Sequence, residues 1–133
     1  MLEGTEVDMP VRVVVVDDTS HVLDMLVSML TLDGFDVVGS GGSGEQAVDL
    51  ATRLQPDVIV IDYMMPGMDG LSAARKIRAA VPTQSIILYT AFLDDTVQQE
   101  ARAAGVALCV GKVEGLETLE QSITELCLQI SRE

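Results

Sequence analysis

The chain has 133 residues, 48% of them hydrophobic and 22% charged, enough for one domain with its own core and too apolar for a disordered segment. Acidic side chains number 21 against 8 basic ones, a formal net charge of −13, which excludes sequence-independent electrostatic binding to nucleic acid or anionic membrane. Aromatic residues make up only 3%, with no tryptophan, so base-stacking platforms are not expected either.

No apolar run approaches the length of a membrane span. The first ten residues, MLEGTEVDMP, carry three acids and no base, the wrong charge for a secretory or transit peptide. A cytoplasmic protein is expected, with residues 1–10 as a lead and residues 11–131 as a single domain. Cys109 and Cys127 both sit in apolar sequence (ALCV and ITELCLQI), as expected of reduced, buried thiols rather than a bridge.

In chain order, Pro10 stands before the apolar run VRVVVV (11–16), which reads as a first strand. Residues 19–33 follow with helical spacing, Val22, Leu23, Leu26, Met29 and Leu30 on one face, closing at Gly34. A weaker strand fits FDVVGS (35–40). The next helix, 44–55, offers Ala47, Val48, Leu50, Ala51 and Leu54. Pro56 precedes DVIVID (57–62), a third strand. Residues 69–81 carry Leu71, Ala74, Ile77 and Val81 on one stripe, with Arg75, Lys76 and Arg78 solvated or complementing the helix dipole.

After Pro82, TQSIILYT (83–90) gives a fourth strand. Residues 94–104 start on an Asp pair and end at Gly105, good signals for the two ends of a helix. A fifth strand fits 106–110. The last helix, 114–131, sets Leu116, Leu119, Ile123, Leu126 and Ile130 at spacings of three and four, the pattern of a helix laid on a sheet. Runs that are apolar throughout and rich in β-branched residues suit strands buried on both faces. Strict β-α alternation implies a parallel sheet with right-handed crossovers. An eight-unit barrel takes about 250 residues. The expected fold is therefore α/β: a single open, doubly wound, five-stranded parallel sheet.

In such sheets the ligand site lies at the carboxyl ends of the strands. The first predicted strand ends in Asp17-Asp18, the third in Asp62, the fourth in Tyr89-Thr90 and the fifth in Gly111-Lys112. An isolated acid there is commonly a helix cap, and Asp18, just before Thr19-Ser20, reads as one by itself. Agreement among separate strand ends favours a site. Crowded carboxylates raise one another's pKa unless a cation intervenes, and with only hard oxygens available that ion is Mg²⁺. His21, the only histidine, reads as a solvated surface residue.

The acidic pair, the segment Asp62-Tyr63-Met64-Met65-Pro66-Gly67-Met68-Asp69-Gly70, Thr90-Ala91 and Lys112 together resemble a response-regulator receiver domain of two-component signalling, from about Val11 to Ile130. The resemblance implies the flavodoxin-like strand order 2-1-3-4-5. It implies Asp62 as phosphoacceptor from a sensor histidine kinase or phosphotransfer protein, with Thr90 and Lys112 contacting phosphoryl oxygens. Mg²⁺ would be held by Asp18, Asp62 and the backbone carbonyl of Met64, with Asp17 acting mainly through metal-bound water. Thr90 would move inward once phosphate arrives. The responding face would combine residues 94–104, the fifth strand and the final helix, making residues 94–131 a homodimer surface. On this reading the chain is a signalling phosphoacceptor rather than an enzyme, with no output domain of its own.

Departures accompany the matches. Val113 follows the lysine where many receivers have proline, often in a cis bond, so a trans peptide and a different loop path are expected. Cys109 stands where many receivers carry a switch Phe or Tyr, leaving Tyr89 or Phe92 as substitutes. Met64 and Phe92 flank the site and cannot orient a water, which predicts slow autodephosphorylation.

Three rival readings exist. Gly39-Ser40-Gly41-Gly42-Ser43-Gly44 satisfies the dinucleotide fingerprint by letter, but follows the second strand and orphans Asp17 and Asp18. A Mg²⁺-dependent aspartyl phosphohydrolase lacks the acid expected at Met64. A receiver-like interaction module unregulated by phosphate has no need of Asp17, Asp18, Asp62, Thr90 and Lys112 together.

Overall fold

Four consecutive valines, Val13 to Val16, occupy the middle of the protein and are almost wholly shielded from solvent. They belong to β1 (Arg12–Val16), which pairs in parallel with β2 (Asp36–Gly41) on one side and β3 (Val58–Ile61) on the other. Beyond β3 lie β4 (Ser85–Thr90) and β5 (Leu108–Gly111), giving one five-stranded parallel sheet in the order β2-β1-β3-β4-β5. The computed structural model describes residues 9–132, with side chains in the last helix described through Leu128. Residues 1–8 of the expected lead and the side chain of Ile130 lie outside the described residues.

Five helices cover the sheet: α1 (Ser20–Leu32), α2 (Gly44–Leu54), α3 (Gly70–Ala80), α4 (Asp95–Ala103) and α5 (Leu116–Arg132). Successive strand residues point to opposite faces. Val14, Val16, Ile59, Ile61, Ile86 and Leu88 pack with Ala47, Ala51, Ala74, Ile77 and Ala101 of α2, α3 and α4. Their strand neighbours Val13, Val15, Val58, Val60, Ile87 and Tyr89 pack with Leu26, Leu30, Leu119 and Ile123 of α1 and α5. Burial of both faces explains why the central strands read as unbroken apolar runs rather than alternating ones.

The expected elements are all present, with shifts at their ends. Asp69 and Asp94 precede α3 and α4 as caps in extended conformation, accepting from the N–H groups of Ser72 and Val97 at 2.8 Å. They stand outside the helices because a cap residue is not itself helical. The last helix begins at Leu116 rather than residue 114, since Lys112–Glu114 forms a separate 3-10 turn closed by Gly115 at φ 92°.

Side-chain placement corrects four expectations. Cys109 and Cys127 are half-buried rather than buried, because each sits at the margin of a core cluster. Burial still pushes both thiols up from their ordinary pKa. Met29 is exposed, as are Met25 and Leu32, because the stripe of α1 that packs toward the sheet runs through Val22, Leu23, Leu26 and Leu30. Arg78 is not simply solvated: it is half-buried and donates to the carbonyls of Pro82 and Gly105. Among the described residues, no helix is long and apolar enough to cross a membrane.

Candidate functional site

The strand order brings the candidate residues together. β1 and β3 are neighbours with Val16 opposite Ile61, so Asp17 and Asp62 emerge side by side. The ladder holds both backbones: Asp62 N–H donates to Val16 O at 3.0 Å, and Asp17 N–H to Gly41 O at 3.1 Å. One strand further out, Thr90 is the last residue of β4, and its neighbour in register is Gly111, directly before Lys112.

Lys112 joins the two acids. Its Nζ lies 2.7 Å from Asp17 Oδ2 and 3.1 Å from Asp62 Oδ2, with the ammonium 6.0 Å from the centroid of the Tyr89 ring. Burial alone would lower the Lys112 pKa, but hydrogen bonds and charge from Asp17 and Asp62 outweigh it and hold the ammonium above its ordinary value. Burial raises the Asp62 pKa from its ordinary value, and Lys112 opposes the shift without cancelling it.

Asp17 is buried, and its other oxygen, Oδ1, accepts from the Thr19 N–H at 2.9 Å. The local turn at the start of α1 is therefore braced by Asp17, whereas Asp18, the residue that could be read as a cap, is exposed. Asp17, Asp18 and Asp62 each offer a carboxylate oxygen within 4.8 Å of the others. Asp62 Oδ1 is buried and has no hydrogen-bond partner. An orphaned anionic oxygen beside two further carboxylates is a donor set suited to a hard divalent cation, so these residues fit Mg²⁺.

The loop after Asp62 is shaped by backbone crowding. Gly70 N–H donates to Tyr63 O at 2.8 Å, and a Cβ at Gly70 would collide with the carbonyl of Asp62. Only glycine lets α3 start against the acceptor strand. Gly67 has φ 76°, a region L side chains rarely adopt. Met65 is buried, while the Met64 side chain is 49% exposed at the rim.

Thr90 is fully buried, and its Oγ accepts from the Phe92 N–H at 3.1 Å. The hydroxyl is thus buried, where it helps oppose the rise in Asp62 pKa. Of the two aromatic candidates beside it, Tyr89 is buried on the α1 and α5 side and Phe92 is 58% exposed. Cys109, also half-buried, packs against the opposite cluster. The Lys112–Val113 peptide is trans, as expected, and Val113 is 96% exposed.

The glycine run between β2 and α2 is used for packing. A Cβ at Gly39 would lie 3.0 Å from Leu54 Cδ1, and one at Gly44 2.7 Å from the carbonyl of Met68. The Gly42 N–H is taken by Gln46 Oε1 at 2.6 Å, and Ser43 Oγ accepts from the Gln46 N–H at 3.2 Å. Donors that a dinucleotide phosphate would use are therefore met by the protein's own side chains. His21 is exposed, as expected.

One residue and one contact escaped the sequence reading. Glu114 Oε2 accepts from the Gly111 N–H at 3.0 Å. Its signal was the Glu three residues after a turn-opening residue, the half of a capping box that reaches back. The Tyr89 ring beside Lys112 had no local signal, since the two residues meet only across β4 and β5.

Comparison with known proteins places this arrangement. Residues 13–124 match the response regulator receiver domain family. The chain is 35% identical over 117 residues to the response regulator GacA of Pseudomonas aeruginosa, covering 87% of this chain and 55% of that protein. It is 34% identical over 124 residues to the transcriptional regulatory protein PdtaR of Mycobacterium tuberculosis, covering 93% of this chain and 60% of that one. The chain thus spans little more than half the length of these curated relatives. Among solved structures, the response regulator domain of Thermotoga maritima CheB superposes with a TM-score of 0.74 at 28% identity, covering 93% of this chain and 96% of that one.

Proposed function

The chain belongs to the response regulator receiver domain family, and from that premise we propose that it accepts a phosphoryl group on Asp62 from a histidine kinase or phosphotransfer protein. The observation that carries this reading is Asp62 itself: a buried carboxylate with one oxygen on Lys112 and the other without a partner. Such a group is ready for an electrophile and protected from bulk water.

In the proposed transfer an Asp62 oxygen attacks phosphorus. A P–O bond forms while the bond from phosphorus to the donor histidine nitrogen breaks, and the electron pair leaves with that nitrogen. Lys112 opposes the rise that burial imposes on the Asp62 pKa and then faces a phosphoryl oxygen as a compact point charge. Thr90 donates its hydroxyl to another. Asp18, Asp62 and the backbone carbonyl of Met64 would hold Mg²⁺, with Asp17 acting mainly through metal-bound water, and the ion would supply positive charge to offset the phosphoryl oxygens.

The acyl phosphate brings about −1.5 to −2 charge into a site already holding three carboxylates. Lys112 must then divide its contacts between Asp17 and the new group. A shift at the carboxyl ends of β4 and β5 is the proposed signal, read on residues 94–131 by a partner, an output domain or a second copy. The domain acts in the cytoplasm as a signalling phosphoacceptor, with residues 11–131 as the receiver.

Incubation with acetyl phosphate and Mg²⁺, followed by intact-mass measurement, tests this. A single phosphoryl adduct is expected, absent with EDTA and absent in Asp62→Asn. No adduct, or the same adduct in the variant, overturns it in favour of an interaction module that carries no phosphate.

A further inference from the structure

We propose that Glu114 is a positioning residue for phosphoryl transfer, acting through Lys112; this rests on the phosphoacceptor reading above. Lys112–Glu114 forms the single 3-10 turn between β5 and α5. The Glu114 carboxylate accepts from the Gly111 N–H at 3.0 Å, and the Gly115 N–H donates to Lys112 O at 3.1 Å. These two bonds close the backbone on either side of the lysine.

Further along, the Thr118 hydroxyl donates to the Glu114 carbonyl at 3.1 Å. The peptide after Lys112 is an ordinary trans bond to Val113, so no ring fixes the next φ. The Val113 side chain is 96% exposed and anchors nothing. Glu114 instead ties the turn to Gly111, the β5 residue paired with Thr90. A carboxylate on a backbone N–H is a charge-assisted bond, stronger than a neutral one. The absence of a side chain at position 111 gives it room: a Cβ there would lie 3.3 Å from Glu114 Oε2.

The consequence falls on the ammonium. Lys112 Nζ meets Asp17 at 2.7 Å and Asp62 at 3.1 Å from the end of a flexible four-carbon stem. A small rotation at the backbone is magnified along that stem, and misplacement of a catalytic group by about 1 Å can cost as much as a hundredfold in rate. Glu114 touches neither acid nor phosphate. It sets where the lysine starts.

The test uses Glu114→Ala and Glu114→Gln in the full chain, with thermal unfolding checked for each. In Glu114→Ala, the Gly111 amide should exchange faster with solvent and the heteronuclear NOE of the Lys112 amide should fall. The maximal rate of phosphorylation by acetyl phosphate should drop about tenfold with the half-saturating donor concentration unchanged. Glu114→Gln keeps an acceptor oxygen and should restore most of the rate and the NOE. Unchanged Gly111 exchange, an unchanged Lys112 NOE, a wild-type rate in Glu114→Ala, or a loss that Glu114→Gln does not restore overturns the proposal. If the wild type takes no phosphoryl group, the phosphoacceptor reading fails, and the two NMR measurements alone decide whether Glu114 orders Lys112.

Discussion

Gly70 and Asp62 share a space too small for any side chain: a Cβ at Gly70 would be driven into the Asp62 carbonyl. The obstacle is backbone, which cannot swing aside as a side-chain tip does, so Gly70→Ala must displace either the start of α3 or the acceptor strand. A loss of about 1–3 kcal/mol in stability is expected, as for other overpacked sites. Phosphorylation should suffer with it. Urea unfolding checks the first, and a Gly70→Ala protein of wild-type stability would show that the loop yields freely.

Asp62 carries a second, pH-dependent prediction. Burial raises its folded pKa above the ordinary value of 3.8. The stability this group contributes is then full below the unfolded pKa and is lost as pH rises through the folded one. At pH 7 without metal, Asp62→Asn should therefore be more stable than the wild type, and the gap should close as pH falls below 3.8. Mg²⁺ should stabilise the wild type more than the variant. Thermal unfolding across pH, with and without Mg²⁺, measures both.

Glu120 sits away from the site, in a groove of about 620 Å³ lined by Asp33, Phe35, Glu117, Gln121, Thr124 and Glu125. Its Oε2 is buried without a partner. Burial first, then Asp33 and Glu117, push its pKa from 4.5 to about 7. The sign is the same as for Asp62: stability is full below pH 4.5 and lost as pH rises through about 7. Glu120→Gln cannot ionise, so it should unfold at a higher temperature than the wild type at pH 8 and at the same temperature at pH 4.5. Equal midpoints at both pH values would contradict the assignment.

Met64 and Phe92 are exposed apolar side chains on the loops after β3 and β4. Neither can hydrogen-bond a water and aim it at the acyl phosphate, so phosphoryl loss should be slow. If the two side chains also shield the site, Met64→Ala and Phe92→Ala should shorten the lifetime. Following the adduct by intact mass after donor removal decides it, and a longer lifetime in either variant would rule shielding out.

Much of this was legible from local pattern. Apolar β-branched runs between prolines and helical stripes gave ten elements in the right order, because the hydrophobic period reports which faces are buried. Asp17, Asp18, Asp62, Thr90 and Lys112 stood out because they end strands. Errors clustered where burial is decided by packing: Met29 shares a helix with Leu26 and Leu30, yet it faces outward beyond the edge of the contact.

By itself the sequence determined the α/β alternation, the acidic strand ends and the absence of a proline after Lys112. Only the tertiary structure decided that Lys112 binds Asp17 and Asp62 at once, that Thr90 is buried, and that Glu114 closes the turn. It also gave the glycine run its use, in helix packing rather than ligand binding. The physical reason is separation along the chain. Lys112 is 95 residues from Asp17 and 50 from Asp62, so their contact depends on strand order and register, which no local period encodes.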